Sequence, residues 1–156
     1  MAGKWAWRAK RLAQVGWGER ALLAEAAVEL AAARLVLATR PFRQVGRRLG
    51  SFVSPSDPRV AERRSPGPPD QAQTAARVSQ AVIRAARHVP FRAVCLPQAM
   101  AAHAMLRRRG IDAAVHFGAQ RGKDKPIDAH AWVDAAGVEV TGYPLEPGMT
   151  EIGCFV

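Results

Sequence analysis

An α+β fold is predicted for this chain, because its apolar periodicity changes once. Up to Gly110 apolar residues recur every three or four positions; beyond it they alternate. The change falls just after a helix with well-marked ends, and the alternating segments that follow are joined by short connections. Helices first and strands afterwards imply helices packed on an antiparallel sheet.

Residues 1–17 carry Trp5, Trp7 and Trp17 among basic side chains. The segment is expected to be either a short helix packing its rings on the body or an amphipathic surface for a membrane or partner protein. From Gly18 to Thr39, Leu23, Ala26, Ala27, Leu30, Ala33 and Leu37 form one helical stripe. Ala21–Ala38 is apolar, but Glu25, Glu29 and Arg34 interrupt it, so a soluble amphipathic helix is expected and not a membrane span. A peripheral membrane contact is still compatible with it. Pro41 ends this helix, and Phe42, Val45 and Leu49 mark a second one stopped at Gly50. Ser51–Pro69, with Pro55, Pro58, Pro66, Pro68 and Pro69, is expected to be a linker or long loop. The chain therefore divides into a helical segment (1–50), a Pro-rich linker (51–69) and a main domain (70–156).

Asp70 and Gln73 suggest a capping box opening a helix that runs to about His88, with Val89-Pro90-Phe91 as its break. The next helix spans Val94–Gly110. Pro97 fits only a first turn, Gly110 sits where a left-handed cap would fall, and Arg107, Arg108 and Arg109 suit the negative end of the dipole. Cys95 is thereby placed at a helix N-terminus, where free N–H groups and the positive dipole end favour a thiolate. An ordinary buried cysteine fits the same place.

Three strands are predicted next. Ile111, Ala113, Val115 and Phe117 alternate in the first, and 120–126 is polar and Gly-containing, a loop. Asp128–Asp134 alternates again, with Ala129, Ala131 and Val133 on one face and His130 and Trp132 on the other. Ala135-Ala136-Gly137 turns the chain into Val138–Thr141, completing a meander.

Composition narrows the functional classes. The chain has 156 residues, a single domain with or without a helical appendage, and its 49% apolar content supports a sizeable core. Two cysteines and no CxxC pair argue against a disulfide framework or a metal site, so a reduced, cytoplasmic protein is expected. The formal charge of +10, from 23 basic and 13 acidic residues, permits an anionic partner. The basic residues are scattered and form no nucleic-acid-binding motif, so nucleic acid is not the expected partner.

The candidate chemistry is a thiol–imidazole pair, Cys95 and His130. A thiolate attacks an acyl carbon, and an imidazole takes the thiol proton and returns one to the leaving amine. The same helix N-terminus offers backbone N–H groups to a developing oxyanion. His103 lies two turns beyond Cys95, roughly 12 Å along the axis, too far to be its base. His88 and His116 have no motif around them, and Cys154 is expected to be a packed thiol. Trp132 shares the His130 face and either walls a cleft or fills it.

Six segments resemble the leader peptidases of lasso-peptide biosynthesis, of the transglutaminase-like cysteine protease superfamily. They are Cys95-Leu96, Leu106-Arg-Arg-Arg-Gly-Ile111, Phe117-Gly118, Ala129-His-Ala-Trp-Val133 and, before the linker, Pro41-Phe-Arg43 with Arg47-Arg-Leu-Gly50. The resemblance implies a transglutaminase-like, papain-like core with a nucleophile helix packed on an antiparallel sheet. It implies no cofactor, and an enzyme that removes the leader from a ribosomal precursor peptide through Cys95 and His130. A separate leader-binding recognition protein and an ATP-dependent lactam synthetase are the implied partners. Because residues 1–50 read as helices, the stand-alone form is expected. The runner-up readings are an acyl transferase of the same fold and a non-catalytic scaffold for precursor or synthetase.

The family's third member, usually an Asp about a dozen residues past the histidine, finds Val140-Thr-Gly-Tyr143 here, without a carboxylate. Hairpin geometry brings Thr141 or Gly142 opposite His130. Thr141, a backbone carbonyl, Glu139 or a distant acid such as Asp112 are the candidates for orienting the imidazole, whose task is to fix its tautomer and stabilise its charge.

Overall fold

A computed structural model describes residues 16–122, 124 and 126–156. The segment carrying Trp5 and Trp7 lies outside the described residues. The elements are α1 (Trp17–Thr39), α2 (Phe42–Leu49), β1 (Phe52–Val53), α3 (Pro58–Arg64), α4 (Pro69–Ala86), α5 (Cys95–Arg108), β2 (Ala114–Arg121), β3 (Ile127–Ala135), β4 (Val138–Thr141) and β5 (Thr150–Phe155). The strands form one antiparallel sheet in the order β1-β5-β2-β3-β4.

The helical stripes fold as their periodicity dictates. Ala26, Leu30 and Ala33 of α1, Val78 and Val82 of α4, and Ala102, Met105 and Leu106 of α5 are buried in one core with Val115, Ala131, Val133 and Val140 of the sheet. Truncating a side chain such as Leu30 or Met105 there costs about 2–5 kcal/mol. At the C-terminal end of α5, Arg109 donates to both carboxylate oxygens of Glu25 on α1 at 3.0 and 2.6 Å, and Arg108 reaches Glu29. Gly110 takes φ +67°, the left-handed cap that its position predicts.

Four local expectations change. Residues 51–69 hold a strand and a helix: α3 starts on Asp57, whose carboxylate accepts from the Arg59 N–H at 3.0 Å, with Pro58 in its first turn. The proline density that suggests a linker is largely explained by helix starts, since Pro69 likewise opens α4. The Asp70–Gln73 capping box does not form, because the helix begins two residues earlier and Pro68 occupies the cap without a side-chain bond. The first predicted strand shifts toward its hairpin and runs to Arg121, taking Gln120 and Arg121 out of the expected loop. Finally, β5 is an additional strand that inserts between β1 and β2, so the meander β2-β3-β4 is only part of the sheet.

The sheet has two covered faces. One carries the helix core. On the other, α3 packs Val60 with Val53 and Cys154 in a smaller apolar cluster. Strand alternation sends Ala131, Val133 and Ala135 of β3 into the helix core and His130, Trp132 and Asp134 away from it.

Candidate active site

Cys95 is the first residue of α5 and is half-buried. Val94 occupies the cap and supplies no side-chain hydrogen bond, and Pro97 has no N–H. The first-turn N–H groups of Cys95 and Leu96 are therefore unclaimed by a capping side chain, which leaves an N-terminus suited to an incoming oxyanion. The loop before the helix is pinned by Gln98, whose side-chain amide donates to the Ala93 carbonyl at 2.7 Å.

His130 is half-buried on β3, where β4 has already diverged: β4 pairs with β3 only over Val133–Ala135. Its Nε2 is 2.6 Å from the Gly142 carbonyl oxygen. A carbonyl only accepts, so Nε2 carries a proton, and in the neutral ring Nδ1 keeps the lone pair a base needs. Behind His130 its ring faces Trp132, with centroids 6.1 Å apart and planes 20° from parallel. Trp132 is buried and in turn stacks on His116 at 5.4 Å and 9°. Gly118 is opposite His130 across the β2–β3 ladder, and a Cβ there would lie 2.8 Å from the Trp132 ring. The tryptophan thus fills the site from behind.

Cys95 and His130 share no hydrogen bond in this structure. The structure shows no contact between the two side chains, so their pairing rests on the resemblance to the superfamily and not on observed proximity.

None of the three side chains weighed as orienting groups reaches His130 by a hydrogen bond. Thr141 is buried opposite Val133 and its hydroxyl has no hydrogen-bond partner. Glu139 is exposed and pairs with Asp134 across the ladder. Asp112 is exposed and lies 3.4 Å from Arg63. The contact is made by the backbone, the remaining alternative. No side-chain signal announces it, but the Gly at position 142 does: φ is +84°, and a Cβ would fall 2.5 Å from the Ala131 oxygen.

A second polar cluster joins His116, Asp134, Glu151 and Cys154; of these the sequence pattern singles out only Cys154, as a packed thiol, and His116, as a histidine without a motif. The His116 ring is fully buried. Its Nδ1 is 2.5 Å from Glu151 and 3.2 Å from the Cys154 sulfur, and its Nε2 is 3.1 Å from Asp134. Arg64 of α3 donates to Asp134 at 2.9 Å and Glu151 at 3.0 Å, and Tyr143 donates to Asp134 at 2.6 Å. Burial raises both carboxylates, but the hydrogen bonds from His116, Tyr143 and Arg64 to Asp134, and from Cys154, His116 and Arg64 to Glu151, hold them below their usual values. Burial and the Glu151 charge push the Cys154 thiol far up, which keeps it protonated and unreactive. His116, Glu151 and Cys154 bring donor atoms within 4.8 Å of one another, a set of metal-ligand types. However, an Arg64 nitrogen stands 3.2 Å from His116 Nδ1 and 3.0 Å from Glu151, so a positive charge already occupies the side a cation would approach. The cluster is a buried network of hydrogen bonds and ion pairs tying α3 to three strands.

The α+β layering, with a thiol at a helix start and an imidazole on an antiparallel sheet, defines a transglutaminase-like fold. The profile of the transglutaminase-like superfamily matches residues 36–152, and the chain belongs to that superfamily. It includes cysteine peptidases and acyltransferases. No curated protein and no solved structure matches the chain. Among the described residues, no helix is long and apolar enough to cross a membrane.

Proposed function

We propose that this protein is a cysteine peptidase that removes the leader from a ribosomally made lasso-peptide precursor before a lactam synthetase closes the ring. The observation that carries the reading is the His130–Gly142 contact, which selects the Nε2–H tautomer and turns Nδ1 to the role of base, in a chain of this superfamily with Cys95 at a helix start. In this reaction Nδ1 takes the Cys95 proton as the sulfur attacks the scissile carbonyl carbon. The tetrahedral oxyanion is held by the Cys95 and Leu96 N–H groups. As the C–N bond breaks, the imidazolium gives its proton to the leaving amine, and a thioester remains. A water then loses a proton to Nδ1 and attacks the thioester. The acid leaves, and the thiolate recovers its proton.

The precursor is the substrate, and a separate leader-binding protein delivers it. Trp17, 83% exposed at the start of α1, supports a docking surface for such a partner at this end of the helical segment. Precursor incubated with the partner and the protein is expected to yield leader and core peptides by mass spectrometry, with Cys95→Ala and His130→Ala folded but inactive. Normal processing by Cys95→Ala sinks the proposal. A core product joined to an added amine in place of water assigns the chain to the acyltransferases of the same superfamily. A wild-type protein that binds precursor without cutting it is a scaffold.

A further inference from the structure

Residue 142 gives His130 its acceptor, yet a glycine has no side chain with which to hold itself in place. What holds it is the next residue. The Gly142 carbonyl belongs to the peptide plane joining Gly142 to Tyr143, so fixing the Tyr143 Cα fixes the direction of that oxygen. Tyr143 is fixed at its far end: its phenol donates to Asp134 Oδ1 at 2.6 Å. Asp134 is itself immobilised, with its side chain 7% exposed and its other oxygen receiving Arg64 Nε at 2.9 Å. Asp134 also follows His130 on the same face of β3, with Trp132 between them. The strand therefore holds the imidazole at one end and the anchor for its acceptor at the other.

We propose that Tyr143 and Asp134 are positioning residues for His130. The phenol–carboxylate bond clamps the segment leaving β4, so that the Gly142 carbonyl stays on Nε2 and Nδ1 stays free. A backbone acceptor locked by a tyrosine thereby replaces the side-chain acceptor that fixes the imidazole in a triad. The inference rests on the peptidase reading for its consequence in catalysis, but its geometry is testable without any activity.

The test uses full-length protein labelled with nitrogen-15 in histidine, with the ring nitrogens of His130 assigned by loss in His130→Ala. Wild type is expected to show a protonated Nε2 and an unprotonated Nδ1 at neutral pH. Tyr143→Phe is expected to convert this to a mixture of tautomers, and to lower kcat for leader cleavage by about tenfold to a hundredfold with KM unchanged. Asp134→Asn, which keeps an oxygen acceptor for the phenol, is expected to preserve the tautomer. An unchanged tautomer in folded Tyr143→Phe overturns the proposal. Should that variant not fold, a second measurement decides. Tyr143 is the chain's only tyrosine, so 3-fluorotyrosine labels this phenol alone. Its fluorine resonance is expected to move in His130→Ala, which frees the Gly142 carbonyl, and an unmoved resonance overturns the clamp. A tautomer response in a protein that cleaves nothing removes the peptidase reading and leaves the clamp standing.

Discussion

The backbone oxygen of Gly142 lies 2.6 Å from His130 Nε2, and the two residues are 12 positions apart in the chain. That is the spacing at which the peptidases this chain resembles carry their acid. A carbonyl fixes the tautomer as a carboxylate does, but brings only a dipole to stabilise the imidazolium. On the proposed peptidase reading, the site keeps the orienting half of the acid's task and gives up most of the charge.

Restoring the acid is expected to fail. Gly142 has φ +84°, and any Cβ would lie 2.5 Å from the Ala131 oxygen and 2.7 Å from Trp132 Cβ. Gly142→Asp and Gly142→Ala should each lose about 1–3 kcal/mol or more from backbone strain and crowding, read from urea midpoints. An Asp variant as stable as wild type contradicts the packing described here.

The two thiols should separate sharply in reactivity. Cys95 is half-buried at a helix start, whereas Cys154 is fully buried, hydrogen-bonded to Glu151 at 2.9 Å and held protonated. Native protein treated with iodoacetamide at pH 7.5 is expected to label at Cys95 at least about a hundredfold faster than at Cys154, as counted by peptide mass spectrometry. Comparable rates would show that the buried network opens readily.

Acid should destabilise the fold in two stages. Burial, with Arg107 nearby, pushes His103 from 6.5 down to about 4. Between those values the unfolded chain binds the proton that the folded one refuses, so stability falls as pH drops from about 6.5 to 4. Asp134 and Glu151 have folded values below 3.8 and 4.5, so their contribution is present above those values and disappears as pH falls through the lower folded ones. Thermal melts of His103→Gln should flatten the upper stage and leave the lower one. Arg64→Met should make the lower loss begin at higher pH. A wild-type melting temperature constant from pH 7 to pH 4 would contradict the first stage.

Trp132 is 1% exposed between two imidazoles. Trp132→Ala should cost about 3–5 kcal/mol, measured by denaturant unfolding, because the cavity opens under both His130 and His116. A loss below 1 kcal/mol would mean that the rings collapse into the space.

Much of this was legible in the residues because it depends on local pattern. The stripe of α1, the capped α5 with Pro97 and Gly110, and the alternation of β3 each follow from periodicity and end signals that a short segment carries by itself. β5 was not legible: its Gly153 interrupts the apolar pattern, and its place between β1 and β2 depends on partners distant in sequence. The prolines of 51–69 were ambiguous because proline serves both loops and first turns, and Asp57 was the unread signal for the latter. At the site, Cys95 and His130 stood out by type and spacing. The histidine's acceptor did not, since a main-chain oxygen exists at every position and only the fold selects one.

The position of β5 has a consequence for the protein's making. β1 joins the sheet only through β5, with Phe52 against Phe155 and Val53 against Cys154, and β2 has β5 along its other edge. A nascent chain stalled before residue 150 would therefore expose the hydrogen-bonding edge of β2 and leave Phe52 and Val53 without a ladder. Such an edge is open to strands of other molecules. The helices can gather while synthesis continues, but the sheet closes only once β5 has been made, which makes the interval before it the one in which the polypeptide is most exposed to misassembly.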